Sequence, residues 1–165
     1  MIRKISIALI ACAFVVGCKG KQTQSDQPVD TAVTNNSVDS TPLGFDPSGS
    51  DSGKIDGLSS ISFGYDKANL DSEAKKTLAS NAEWIKSHAG VKVQVEGHCD
   101  QRGTIEYNVA LGERRANSVK AYLVSLGVKA DRLSTISYGK EKPLDASDSE
   151  TAMAKNRRAN FVPAQ

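Results

Sequence analysis

The spacing of the apolar residues changes abruptly in the middle of this chain, and the change dictates a strand-loop-helix unit. Val91, Val93 and Val95 alternate with Lys92, Gln94 and Glu96, the two-residue period of a strand with one buried face. From Ile105 to Leu126 the apolar residues return at helical spacing. Leu111, Val119, Leu123 and Leu126 form the stripe, and Gly127 ends it. The same switch occurs upstream. Leu58 to Phe63 reads as a short strand and Gly64 to Leu70 as a loop. Asp71 is placed to cap a helix in which Ala74, Leu78, Ala82 and Ile85 recur through about His88. Downstream, Leu133 to Tyr138 reads as a strand, Glu150 to Asn156 as a short helix after a loop holding Pro143, and Arg158 to Val162 as a last strand. Strands alternating with helices over about 110 residues predict an α/β sandwich with helices covering a small sheet.

Before residue 54 this patterning stops. Residues 19–53 are rich in Ser, Thr, Asp, Gln, Asn and Gly, with Pro28, Pro42 and Pro47, and Phe45 is their only aromatic. Such a composition buries too little apolar surface to offset ordering entropy. It predicts a flexible leash, against the alternative of an arm packed on the domain around Leu43 and Phe45. Residues 1–17 have the layout of a secretory signal, with Arg3 and Lys4 before the apolar run Ile5 to Val16. That run is short of the roughly 20 residues a membrane span needs. It ends in Val15-Val16-Gly17-Cys18, which resembles a bacterial lipobox; the alternative is an ordinary signal with an incidental cysteine. The expectation is cleavage before Cys18 and acylation of its thiol and new N-terminus, palmitate included. Two linked anchors of this kind suffice for stable membrane attachment. Lys19 stands where an inner-membrane retention signal carries Asp, so delivery to the outer membrane is expected, with the domain facing the periplasm. The organisation expected is a signal over 1–17, a lipidated N-terminus and linker over 18–53, and a domain over 54–165.

Charge and cysteine content narrow the chemistry. Loss of Arg3 and Lys4 with the signal leaves 19 basic against 19 acidic residues, a balance that does not suit a nucleic-acid binder. Removal of Cys12 and acylation of Cys18 leave Cys99 as a single thiol, expected to be a small buried residue. The string His98-Cys99-Asp100 suggests a catalytic relay, but neighbours on a strand point to opposite sides. Continuing the valine face turns Gly97 and Cys99 to the core and His98 and Asp100 to the polar face. No zinc-ligand spacing is present either, and no cofactor is called for. Asp100 begins the turn Gln101-Arg102-Gly103-Thr104, and Arg115 lies two to three turns into the next helix, four residues beyond Leu111. On the residues alone two readings stay open. Asp100 and Arg115 form a plain ion pair, the simpler reading, or they clamp a ligand carrying both an ammonium and a carboxylate. Trp84 reads as core, and Asn156-Arg157-Arg158 as structural ion pairing entering the last strand.

The long segment GHCDQRGTIEYNVALGERRANSVKAYL, with RLSTISYGKEKP and AKNRRANFV, resembles the OmpA-like C-terminal domain family, and within it the peptidoglycan-associated lipoproteins. The resemblance covers about residues 55 to 162. It implies an α+β, β-α-β-α-β fold with helices packed on a small mixed sheet, and noncovalent, non-enzymatic binding of the meso-diaminopimelate stem peptide of peptidoglycan. By position, Asp100 would receive the ammonium of that head group and Arg115 its carboxylate, through the two parallel bonds that its planar fork permits. Arg102 and Thr104 would line the loop side, Asn108 and Leu111 the helix side, and Tyr65 and Asp66 would close the pocket. Gly64 and Tyr65 depart from the family's FDFD run. The resemblance also implies partners in the Tol-Pal envelope system, acting in division. The alternatives are a peptidoglycan-binding lipoprotein outside that pathway and, from another class, a peptidoglycan hydrolase.

Overall fold

The computed structural model describes residues 44–164. The expected signal, the Cys18 acylation site and the linker up to residue 43 lie outside them. Four strands and three helices alternate: β1 (Ile61–Ser62), α1 (Ser72–Ser87), β2 (Lys92–His98), α2 (Ile105–Ser125), β3 (Leu133–Gly139), α3 (Glu150–Asn156) and β4 (Arg158–Ala164). The sheet runs β1-β4-β2-β3. β4 is antiparallel to both β1 and β2, and β2 is parallel to β3. The parallel pair requires a crossover, which α2 supplies. The α+β architecture with a mixed sheet is the expected one. No described helix is long and apolar enough to cross a membrane.

The core forms where the sequence periods place it. Val93 and Val95 are fully buried, with Leu78 and Ile85 from α1, Val119 and Leu123 from α2, and Phe161 from β4. Trp84 joins this core. Asp71 caps α1, its Oδ1 accepting from Ala74 N at 2.8 Å. β1 is shorter than the expected Leu58 to Phe63. The buried Asn81 side chain takes the backbone groups of Ser59 instead of a strand partner, accepting from its N at 2.9 Å and donating to its O at 2.7 Å.

One contact decides where α2 begins relative to the sheet. A Cβ on Gly97 would lie 1.9 Å from the Gly112 carbonyl oxygen, so helix and strand meet backbone to backbone. A Cβ on Gly112 would in turn lie 2.3 Å from Ser137 Oγ on β3. Two glycines thus seat α2 directly on the parallel pair and bring its first turns beside the end of β2.

The last residues of the expected linker pack on the domain instead. Gly49–Ser52 form a 3-10 turn against the domain. Ser50 Oγ donates to Asn160 Oδ1 at 2.8 Å and accepts from Phe161 N at 3.0 Å, while Arg158 Nε donates to Asp51 Oδ2 at 2.8 Å. Phe45 meets Trp84 edge-on, ring centroids 5.6 Å apart. Polar residues carry most of this docking, which is why a scan for apolar periods passes over it.

Candidate functional site

A cleft of about 250 Å³ opens where the end of β2, the β1–α1 loop and the first three turns of α2 converge. Of the residues expected there, Asp100, Arg115, Arg102, Asn108, Leu111, Tyr65 and Asp66 line it. Thr104 does not. Its Oγ1 accepts from Tyr107 N at 3.2 Å as the N-cap of α2, since the first turn of a helix has backbone donors with no partner of their own.

The polar-face placement of Asp100 is corrected, and that of His98 is right in side but not in exposure. β2 ends at His98 with a register shift at Gly97/His98, so strand alternation no longer governs residue 100. Cys99 turns inward as expected, its Sγ 3.3 Å from Asn108 O. Asp100 opens onto the same cleft as Cys99. His98 is buried too, stacked on Tyr138 with ring centroids 5.6 Å apart. Burial pushes the Cys99 thiol pKa up despite the nearby Arg115, the reverse of what a nucleophilic thiolate needs.

The simpler reading, a direct Asp100–Arg115 ion pair, is also corrected: no hydrogen bond or salt bridge joins the two among the described residues. Arg115 is fully buried and spends its guanidinium on backbone. Nε donates to Lys67 O at 2.8 Å, Nη1 to His98 O at 2.7 Å and Nη2 to Gly64 O at 3.1 Å, with Nη1 also 3.4 Å from Cys99 Sγ. A guanidinium has five N–H groups, so one, on Nη2, remains for a ligand. The expected two-bond fork from Arg115 alone is therefore not available. Burial lowers the Arg115 pKa, yet an arginine stays charged in any protein setting, and its cation contributes a fixed positive field to the cleft.

Asp100 is held by two other arginines. Its Oδ2 accepts from Arg102 Nη2 at 2.5 Å and from Arg157 Nη1 at 3.1 Å, and its Oδ1 accepts from Arg102 N at 3.2 Å. Burial alone would raise its carboxyl, but these bonds outweigh it and hold the group below the usual carboxylate range. Oδ1 keeps accepting capacity toward the cleft. Arg102 lies over the Tyr65 ring, its Cζ 4.0 Å from the centroid, and its Nε is buried without a partner. Asn108 spends both amide hydrogens on the loop, at 2.7 Å to Arg102 O and 2.9 Å to Thr104 O; it shapes the loop rather than offering donors. Asp66 sits in the left-handed region at φ 56° and accepts from the Tyr107 hydroxyl, which raises the Tyr107 pKa. Gly64 departs from the family run without steric need, since a Cβ there would meet only the flexible Lys67 side chain at 3.1 Å.

Four lining residues are not assigned to the cleft by the sequence: Cys99, Gly103, Arg157 and Tyr107. Arg157, read as structural, does pair with Asp100 and Glu150 but also forms a wall of the cleft. Tyr107 lines the cleft as well. Its spacing of four from Leu111 was the available signal. One small cleft thus brings the Asp100 carboxylate together with an unpaired hydrogen on Arg115 Nη2 and one on each terminal nitrogen of Arg102, the complement of a ligand bearing an ammonium and a carboxylate.

Residues 62–157 match the OmpA family. The chain is similar to a peptidoglycan-associated lipoprotein of Mesorhizobium japonicum, 37% identical over 161 residues that cover 94% of this chain and 88% of that protein. It is 48% identical over 99 residues to one from Pasteurella multocida, covering 60% of this chain and 66% of the other. Among solved structures it resembles the peptidoglycan-associated lipoprotein of Burkholderia pseudomallei, with a TM-score of 0.62 and 37% identity over 64% of this chain and 89% of that one. The C-terminal domain of Helicobacter pylori MotB shares the fold, with a TM-score of 0.62 at 23% identity, covering 66% and 86% of the two chains. Fold, cleft and relatives agree: the chain belongs to the OmpA family and, within it, to the peptidoglycan-associated lipoproteins.

Proposed function

We propose that the cleft binds the meso-diaminopimelate head group of a peptidoglycan stem peptide, without altering it, and so ties an outer-membrane lipid anchor at Cys18 to the cell wall. The observation that carries this reading is the pairing of complementary groups in one cleft. Asp100 stays ionised, with Oδ1 accepting only from Arg102 N, and Arg115 Nη2 and the two terminal nitrogens of Arg102 keep hydrogens for a carboxylate. The carboxylate is shared between those two arginines, which replaces the fork from Arg115 alone. Tyr65 and Asp66 form the opposing wall and Leu111 the apolar side. The names of the relatives support peptidoglycan association and lipidation. Family membership supports a place in the Tol-Pal system and a periplasmic orientation.

Binding rather than catalysis fits the chemistry of the cleft. Cys99 is protonated and buried, and His98 lies on the other side of the strand against Tyr138. Asp100→Asn tests the assignment. It keeps the shape and removes the charge that attracts the ammonium, so the folded variant should lose at least about tenfold in sedimentation with purified sacculi, the scale of a charged hydrogen bond. Wild-type sedimentation by a folded Asp100→Asn protein would refute the role of Asp100.

A further inference from the structure

Three side chains of the cleft, Asp100, Arg102 and Arg157, close with Glu150 outside its lining into a ring of alternating charge. Asp100 bonds Arg102 at 2.5 Å, Arg102 bonds Glu150 at 3.3 Å, Glu150 bonds Arg157 at 3.0 Å, and Arg157 returns to Asp100 at 3.1 Å. The members come from the end of β2, the loop after it, the first residue of α3 and the residue before β4. The ring has two unequal halves. Asp100 and Arg157 have side chains only 5% and 10% exposed, whereas those of Arg102 and Glu150 are 35% and 67% exposed. The inner pair is fixed by burial. The outer contact is the longest of the four, and it joins two solvated side chains that part at little cost.

Glu150 is thus an internal carboxylate bound to the same guanidinium that the cleft offers to a ligand carboxylate. It takes a hydrogen of Arg102 Nη1, neutralises that cation in the absence of ligand and, together with Asp100, holds Arg102 over Tyr65. We infer that Glu150 is a competitive latch: it occupies Arg102 in the absence of ligand and must yield to the ligand's carboxylate. This sets the affinity of the site below its maximum and favours ligands whose own carboxylate can displace an internal one. The inference rests on the cleft being the peptidoglycan site.

A residue that only supported the fold would weaken binding when replaced, whereas a latch strengthens it. Glu150→Gln in the full chain should therefore sediment with purified sacculi about two- to fivefold more tightly than wild type, the range spanned by a solvated ion pair. Glu141→Gln, at an exposed acid outside the ring, serves as the charge control and should leave binding unchanged. Affinity of Glu150→Gln equal to or below wild type overturns the latch, as does an equal gain in the Glu141→Gln control. If wild type itself does not sediment, the peptidoglycan reading fails and the latch with it. If wild type sediments and Glu150→Gln gains nothing, the latch alone is lost.

Discussion

Replacing Arg115 by Met should test how far this site is also a structural keystone. Methionine keeps most of the length and apolar volume but removes every donor. Three backbone carbonyls, of Gly64, Lys67 and His98, then lose their partner. The guanidinium also lies over the Phe63 ring, 5.0 Å from its centroid. An orphaned buried acceptor costs about 1–3 kcal/mol; two of the three carbonyls are partly reached by solvent, and the variant no longer buries a charge. The net loss should be about 3–5 kcal/mol, toward the low end for three orphaned acceptors. A domain of this size has on the order of 5–15 kcal/mol in total. In equilibrium urea unfolding, with a slope of about 2 kcal/mol per molar, the midpoint should fall by roughly 2 M. A shift under about 0.5 M would show that water replaces the guanidinium at all three carbonyls, and the keystone role would be refuted. The outcome bears on function too. Lost sacculus binding in an Arg115 variant reports unfolding as readily as a missing ligand contact, so Asp100 and Glu150 are the cleaner probes.

Two further outcomes follow from local geometry. Gly97→Ala places a methyl group 1.9 Å from the Gly112 carbonyl oxygen, where only a shift of α2 relieves the clash; it should lower the melting temperature by at least 10 °C, and an unchanged melt would contradict the backbone contact. Asp100, held below the usual carboxylate range by Arg102 and Arg157, contributes stability that is complete at neutral pH and is lost as pH falls through the ordinary carboxylate range toward the lower folded value. Acid titration of unfolding free energy should therefore show a shallower decline in Asp100→Asn than in wild type, and parallel curves would remove Asp100 from the acid response.

Much of this arrangement is written in local patterns. The valine alternation and the Leu111 stripe place β2 and α2, and Asp71 and Gly127 mark helix ends because caps and left-handed glycines act within a few residues. The same locality sets Cys99 inward. What the sequence hides depends on contacts between distant positions. Glu150 reaches Arg102 across 48 residues, and Asp51 reaches Arg158 across 107, so no window along the chain joins them. The resemblance places Thr104 in the cleft, whereas its hydroxyl caps α2. Alternation puts Asp100 on the polar face only if the strand continues, and β2 ends at His98. Residues 45–53 looked unstructured because serine, asparagine and aspartate dock them, and hydropathy does not register hydrogen bonds.

The most direct test of the account is a calorimetric titration of the full chain with two soluble stem peptides that differ only at the third residue, meso-diaminopimelate in one and L-lysine in the other. Both carry the side-chain ammonium for Asp100, and only the first carries the side-chain carboxylate for Arg102 and Arg115. The account predicts binding of the diaminopimelate peptide and at least about tenfold weaker binding of the lysine peptide, the scale of a lost charge-assisted bond. Equal affinity for the two peptides would contradict it.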